Sequence, residues 1–265
     1  MLEYLRTRKG QGTRTLPVAD QEAALPARFR GRLVFDDRRC TGGCAACRAQ
    51  PPAAPLVRLE ADGPRLDLGS SLFAPEEAEA CPEGAIRFTT DHRMAVRGRE
   101  DLGTRRGELQ LARELEGESR RLFGRSLRLR SVSAGSCNGC EAELVALGNV
   151  VFDLARFGVQ FVASPRHADA LVLTGSVSLN MRDALYATYD AIPDPRLVIV
   201  VGACAISGGP FRGSPQVGNG VPPDLPVDLW IPGCPPHPLT ILDGLLRLLG
   251  RLPRARGARA PEASA

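Results

Sequence analysis

Two hydrophobic patterns divide the chain. From residue 127 onward, short apolar runs alternate with stretches in which apolar positions recur every three to four residues. The runs at 127–132, 159–162, 170–174, 197–201 and 227–231 are rich in Val, Ile and Leu and read as strands. Residues 141–157, 179–192 and 238–249 read as helices between and after them. Such alternation predicts a parallel sheet with helices on both faces. Before residue 127 the pattern is shorter and irregular: 57–59 with 65–68, and 86–88 with 94–96, read as small hairpins. Between these halves, Leu102, Leu109, Leu111, Leu115 and Leu122 recur among Arg and Glu at roughly helical intervals, which predicts an amphipathic linker helix.

The predicted organisation is therefore an extension (1–30), a small α+β domain (31–98), a linker helix (99–125), an α/β domain (126–252) and a disordered Ala/Arg/Pro tail (253–265). The net charge of +4 comes from arginines interleaved with acids, with Lys9 the single lysine. No basic stripe forms, so nucleic acid is not an expected partner. No apolar run reaches membrane-span length, and Arg6, Arg8 and Lys9 are not followed by the apolar core of a signal peptide. The expected compartment is the cytoplasm, where eight cysteines point to metal or redox chemistry before disulfides. The glycine-rich stretch 202–220 lacks a Gly-x4-Gly-Lys-Ser/Thr pattern, so no nucleotide site is expected.

The cysteines form two sets. Cys40-Thr-Gly-Gly-Cys44-Ala-Ala-Cys47 crowds three thiols onto one loop of small residues, and Cys81-Pro82 follows at a distance. Iron–sulfur cubanes take four thiolates. A structural zinc site is the alternative, although zinc more often joins two Cys-x2-Cys knuckles. In the second set, Cys137-Asn-Gly-Cys140, Cys204 and Cys234 each follow a predicted strand. That is the edge at which doubly wound sheets gather ligands.

The first set resembles a bacterial-type ferredoxin. On that pattern Pro51, Ser71, Ala74 and Glu77 stand where four further cysteines would hold a second cluster, so the chain looks like a two-cluster ferredoxin that kept one. It departs from the pattern by one extra glycine between Cys40 and Cys44. The stretch 127–251 resembles the small subunit of membrane-associated NiFe hydrogenases and its relative in respiratory complex I. The resemblance runs through Arg156-Phe-Gly158, Pro165-Arg-His-Ala-Asp169, Asn180-Met181, Gly202-Ala-Cys-Ala205 and Ile231-Pro-Gly-Cys-Pro-Pro236. Complex I relatives carry two adjacent cysteines in the first motif, whereas Cys137 and Cys140 are spaced as in the formate hydrogenlyase branch.

This resemblance implies a flavodoxin-like C-terminal domain fused to a ferredoxin-like one, and two 4Fe-4S clusters. One would sit on Cys40, Cys44, Cys47 and Cys81, and the other, nearest the catalytic partner, on Cys137, Cys140, Cys204 and Cys234. It also implies the iron–sulfur subunit of a hydrogenase or quinone-reductase enzyme, whose catalytic metal lies on a partner large subunit. Membrane-arm subunits would be indirect partners, and the complex would sit on the inner face of the cell membrane. Glu143 matches a family glutamate and is a candidate for proton coupling; Glu141 reads as a helix-start carboxylate. Arg166 and Asp169 are expected to fix the loop under the cluster, to face the large subunit or to form a structural salt bridge, and His237 to hydrogen-bond a cluster sulfur or to stand accessible at the interface. A zinc-binding scaffold protein is the alternative outside electron transfer.

Overall fold

A computed structural model of the chain describes residues 2–12, 15–23, 25–40, 56–60, 63–104 and 108–252. The N-terminal half carries helices α1 (Leu2–Gln11) and α2 (Val18–Ala23), then strands β1 (Leu33–Phe35), β2 (Val57–Glu60) and β3 (Gly63–Asp67). Helix α3 (Pro75–Glu79), strands β4 (Ile86–Phe88) and β5 (Gly103–Thr104), and helix α4 (Gly117–Phe123) complete it. The predicted 57–68 hairpin is present as antiparallel β2 and β3. The second predicted hairpin is not. β4 pairs antiparallel with β1, and the pairing continues as Gly31 donates to Thr89 and Arg32 to Asp91. Val96 is thereby left free to exchange both backbone hydrogen bonds with Trp230.

The linker helix is also corrected. Residues 100–102 form a single 3-10 turn, β5 follows, residues 108–116 are not helical, and only Gly117–Phe123 is α-helix. The leucines serve different neighbours: the Leu102 carbonyl accepts from Leu68, and the Leu115 amide donates to Leu248. Gly117 lies at φ +59°, a conformation outside the helical basin.

The C-terminal half runs β6 (Leu127–Ser133), α5 (Gly139–Ala146), β7 (Val159–Phe161), β8 (Ala170–Thr174), α6 (Leu179–Asp190), β9 (Leu197–Val201), α7 (Ala203–Ser207), β10 (Leu229–Ile231) and α8 (Pro238–Leu248). Its five strands are all parallel, in the order β10-β9-β8-β6-β7. Counted from β6 this is the 2-1-3-4-5 order of the flavodoxin-like fold, whose topological switch lies beside its first strand. β8 and β9 are buried at every residue, as expected of parallel strands covered on both faces. Helix 141–157 is shorter than predicted. It stops at Ala146, the Asn149 side chain accepts from the amides of Val151 and Phe152, and Asp153 turns left-handed at φ 45°.

The two halves share their packing. One buried cluster joins Leu33, Phe35, Leu66 and Leu68 to Leu171, Val198, Ala205, Ile206 and Trp230. α8 is buried along its whole length, and a Cβ on Gly244 would lie 2.7 Å from the Cβ of Ala95. The predicted disordered tail, 253–265, lies outside the described residues. Among the described residues, no helix is long and apolar enough to cross a membrane.

Candidate metal centre

The carboxyl ends of β6, β9 and β10 lie side by side with β8 between β6 and β9. β6 runs into Gly135 and the loop that bears Cys137; Asn138, left-handed at φ 69°, then starts α5, and Cys140 follows in its first turn. β9 ends at Val201, Gly202 follows, and Cys204 occupies α7, a one-turn helix the periodicity did not reveal. β10 leads into Gly233 and Cys234. The Ala203 amide donates to the Gly233 carbonyl at 2.8 Å and Gly202 to Ile231 at 2.9 Å, so the last two loops are tied together.

Each of the four thiols lies within electrostatic reach of the other three. Burial, followed by Glu141 and the other three thiols, pushes Cys140 far up. Burial and the neighbouring thiols push Cys204 up to about 11. Burial, Cys137 and Glu77 raise Cys234. Crowding four sulfurs without a cation is costly for their thiolates, and a bound metal group is what reverses that cost. Cys140 and Cys204 are buried, Cys234 is half-buried and Cys137 is exposed. Among the described residues, no three His, Cys, Asp or Glu side chains are spaced to hold one metal ion.

Two glycines make room for this grouping. Gly202 sits at φ +90°, and a Cβ there would come within 2.5 Å of Cys140 Sγ. Gly209, at φ +52°, would put a Cβ 2.9 Å from Cys204 Sγ. Any side chain would therefore enter the space beside these sulfurs. Four thiol donors, bare backbone against them and a mostly buried setting fit an iron–sulfur cubane.

Glu141 is more closely built into this site than its reading as a helix-start carboxylate implied. Its Oε1 accepts from Ser136 Oγ at 2.6 Å and from Thr174 Oγ1 at 2.6 Å. Burial pushes the carboxyl up, but the hydroxyls of Ser136, Thr174 and Ser133 outweigh it and hold the group below the usual range. Oε2 is buried without a hydrogen-bond partner among the described residues. Glu143, the residue singled out from sequence, is half-buried, and burial alone raises it.

His237 caps α8: its Nδ1 accepts from the Leu239 amide at 3.2 Å, and its ring packs against Phe29 and Phe152. Burial lowers it, which favours the neutral ring. Asp169 and Arg166 belong elsewhere. Asp169 precedes β8, and its Oδ2 accepts from the Arg128 amide at 2.7 Å. It thus staples the amino edge of the sheet, opposite the cysteines. Arg166 is exposed on the 3-10 turn just before it. Neither fixes the loop under the thiols.

In the N-terminal half, Cys40 and Cys81 are half-buried against the shared core. The Ala85 amide donates to Cys81 Sγ at 3.3 Å. Cys44 and Cys47 lie outside the described residues.

Residues 137–248 match the family model described as "NADH ubiquinone oxidoreductase, 20 Kd subunit". The chain is 41% identical over 143 residues to the probable membrane-bound hydrogenase subunit mbhJ of Pyrococcus furiosus, covering 54% of this chain and 86% of that protein. It is 44% identical to formate hydrogenlyase subunit 7 of Escherichia coli, covering 52% of this chain and 54% of that one. An NADH-quinone oxidoreductase subunit of Bacteroides thetaiotaomicron is 46% identical, with 48% and 64% covered. Among solved structures, the membrane-bound sulfane sulfur reductase complex aligns with a TM-score of 0.44 at 31% identity, over 49% of this chain and 72% of that one. An NAD+-reducing [NiFe]-hydrogenase aligns at 0.36 and 26% identity, over 51% and 99%. By the extent of the mbhJ match and the motif region it covers, the chain belongs to the family of the 20 kDa NADH ubiquinone oxidoreductase subunit, whose relatives include hydrogenase and formate hydrogenlyase subunits.

Proposed function

We propose that this chain is the electron-transfer subunit of a membrane-associated NiFe hydrogenase complex of the formate hydrogenlyase type. It would relay single electrons through two 4Fe-4S clusters. The observation that carries this reading is the meeting of Cys137, Cys140, Cys204 and Cys234 at the carboxyl edge of the parallel sheet. A cubane bound there supplies one-electron redox chemistry. The chain's own residues do the rest: four thiolates hold the group, Gly202 and Gly209 leave it room, and buried Cys140 and Cys204 keep part of it from water. Glu141 sets a negative charge beside Cys140, which favours the oxidised form.

The exposed Cys137 faces outward, where a catalytic large subunit would dock; nickel chemistry would belong to that partner. The N-terminal half would carry the second cluster on Cys40, Cys44, Cys47 and Cys81 and pass electrons outward. The fusion of a ferredoxin-like domain to the family domain belongs to this proposal, as do proton coupling at Glu143 and a cytoplasmic position reached through membrane-arm subunits. The spacing of Cys137 and Cys140 favours the hydrogenase branch. The second reading, a quinone-reductase subunit with no nickel in its partner, is favoured by the 46% identity to the Bacteroides protein.

Purifying the complex through a tag on this chain separates the two. The hydrogenase reading predicts co-purifying nickel and hydrogen-dependent dye reduction. A nickel-free complex that reduces quinone would replace it with the second reading.

A further inference from the structure

The two edges of the parallel sheet are treated differently. At one edge β10 is covered, because Val96 and Trp230 exchange backbone hydrogen bonds at 3.0 and 2.9 Å. At the other edge β7 pairs with β6 alone among the described residues. The Gly158 carbonyl accepts from Leu127 at 2.9 Å, and the Val162 amide donates to Leu129 at 2.8 Å. Residues 158, 160 and 162 therefore turn their backbone groups toward β6, and those of Val159 and Phe161 point away from the sheet. The Phe161 ring is 38% exposed. An open edge with a bare aromatic ring is a template for pairing that folded chains usually cover.

The sheet face beside this edge is thinly covered as well. The chain must cross β6 to pass from β7 to β8, a crossing that parallel strands usually make with a helix. Here residues 162–169 make it with one 3-10 turn, Pro165–His167. Val162 and Ala168 of this crossover pack in the cluster that contains Leu171, whereas α5 covers the other face through Leu144 and Leu147. Arg128 and Arg130, alternate residues of β6, share the crossover face: Arg128 is in register with Gln160, and Arg130 with Leu171. Arg128 and Gln160 are exposed, while Arg130 is half-buried and its Nε is buried without a partner among the described residues. The nearby Asp169 carboxylate is occupied by the Arg128 backbone amide, so neither guanidinium is paired among the described residues.

We propose that β7 is an assembly edge, which receives an extended, acid-bearing segment of a partner subunit as an added strand. Its backbone pairs with Val159 and Phe161. Its alternate carboxylates meet Arg128 and Arg130, whose planar guanidinium groups suit two-point contacts with carboxylates, and the apolar residues between them cover Phe161. Arginines on one face and an aromatic ring on the other, one residue out of step, match the alternation of a strand; two arginines are too few for the stripe of cations that a phosphate backbone needs. The contact is separate from the cysteines, since Arg128 precedes Ser133 at the carboxyl end of β6 by five residues, about 16 Å by strand rise.

The test is site-specific photo-cross-linking in the complex purified through a tag on the full chain. Gln160→p-benzoylphenylalanine is irradiated and the attached peptide is sequenced by mass spectrometry. The expected product is one segment of a partner subunit in which Asp or Glu alternates with apolar residues. Arg128→Gln should lower retention of that subunit several-fold in washes at raised salt, with the iron content of the chain unchanged, and Arg128→Lys should restore part of it. If Arg128→Gln does not fold, the cross-link carries the test alone. A cross-link to a partner segment without acids, to lipid or to nucleic acid would overturn the proposal, as would the lack of any cross-link to a partner. An iron-replete Arg128→Gln chain that holds the same segment as firmly as wild type would also overturn it. A nickel-free complex with the expected cross-link would instead remove the hydrogenase reading and leave this one standing.

Discussion

The two halves hold their cysteines by different physical means. In the C-terminal half, three strands of one parallel sheet end at the same edge, and each delivers thiols within a few residues of its last hydrogen bond. The strands are staggered correctly because the opposite edge is stapled: Asp169 accepts from Arg128, and Asp228 from Val198. In the N-terminal half the strands are three to five residues long or shorter, and rigidity comes from buried charge. Asp67, 3% exposed, accepts a two-point contact from Arg99 at 2.9 and 2.8 Å and one from Arg58 at 2.7 Å. Where a sheet is large enough, backbone ladders position a site. Where it is small, paired side chains do the same work and leave the fold more sensitive to single substitutions.

Removing ligands one half at a time should give the largest effects. Cys204→Ala is expected to abolish the C-terminal cluster and halve the iron of a two-cluster chain, while Cys81→Ala should remove the other half. If either variant lost all its iron, the two sites would not be independent. Next in size is Asp67→Asn, which takes the buried carboxylate away from Arg99 and the half-exposed Arg58. Because both arginines still reach water, the loss should fall below the roughly 3–5 kcal/mol of a fully buried pair, readable by denaturant unfolding. Burial pushes Asp67 up, but Arg99, Arg58 and Ser70 outweigh it and hold it below the ordinary range. Its stabilising contribution is therefore full above the unfolded carboxyl value near 4 and lost as pH falls through its lower folded value. Wild-type stability should fall across that acid window, and the Asn variant should show a weaker fall.

Gly202→Ala comes third. Strain at φ +90° costs about 1–3 kcal/mol, and the methyl group would also meet Cys140 Sγ, so both thermal stability and iron occupancy should drop. The smallest expected effect is Thr174→Val, which removes one hydroxyl from Glu141. The loss should be about 1–2 kcal/mol, with a rise in the Glu141 carboxyl pKa followed by NMR.

Much of the C-terminal half was legible in the chain itself. β8 and β9 fall at the predicted residues because an apolar run between turn residues has few other ways to be buried. The linker helix misled because leucine spacing reports burial without saying against what: Leu102 and Leu115 bond to different elements. α7 escaped because five residues between Gly202 and Gly208 are too few to show a period. In the site, the cysteines were visible from their positions after strands. The Glu141–Thr174 contact was not, since 33 residues separate the pair and their neighbourhoods meet through the β6–β8 pairing and the loops that follow it. Likewise, nothing local in the sequence at Asp169 says that it faces the amino edge of the sheet.

Four C-terminal thiols that hold a cubane fix the iron content of the chain. Iron and acid-labile sulfide counted per chain, on anaerobically isolated wild type beside Cys204→Ala, test it most directly. The wild type should hold about eight of each and the variant about four, following the four-iron stoichiometry of each cubane. Equal iron in the two proteins, or zinc in place of iron in the wild type, would contradict it.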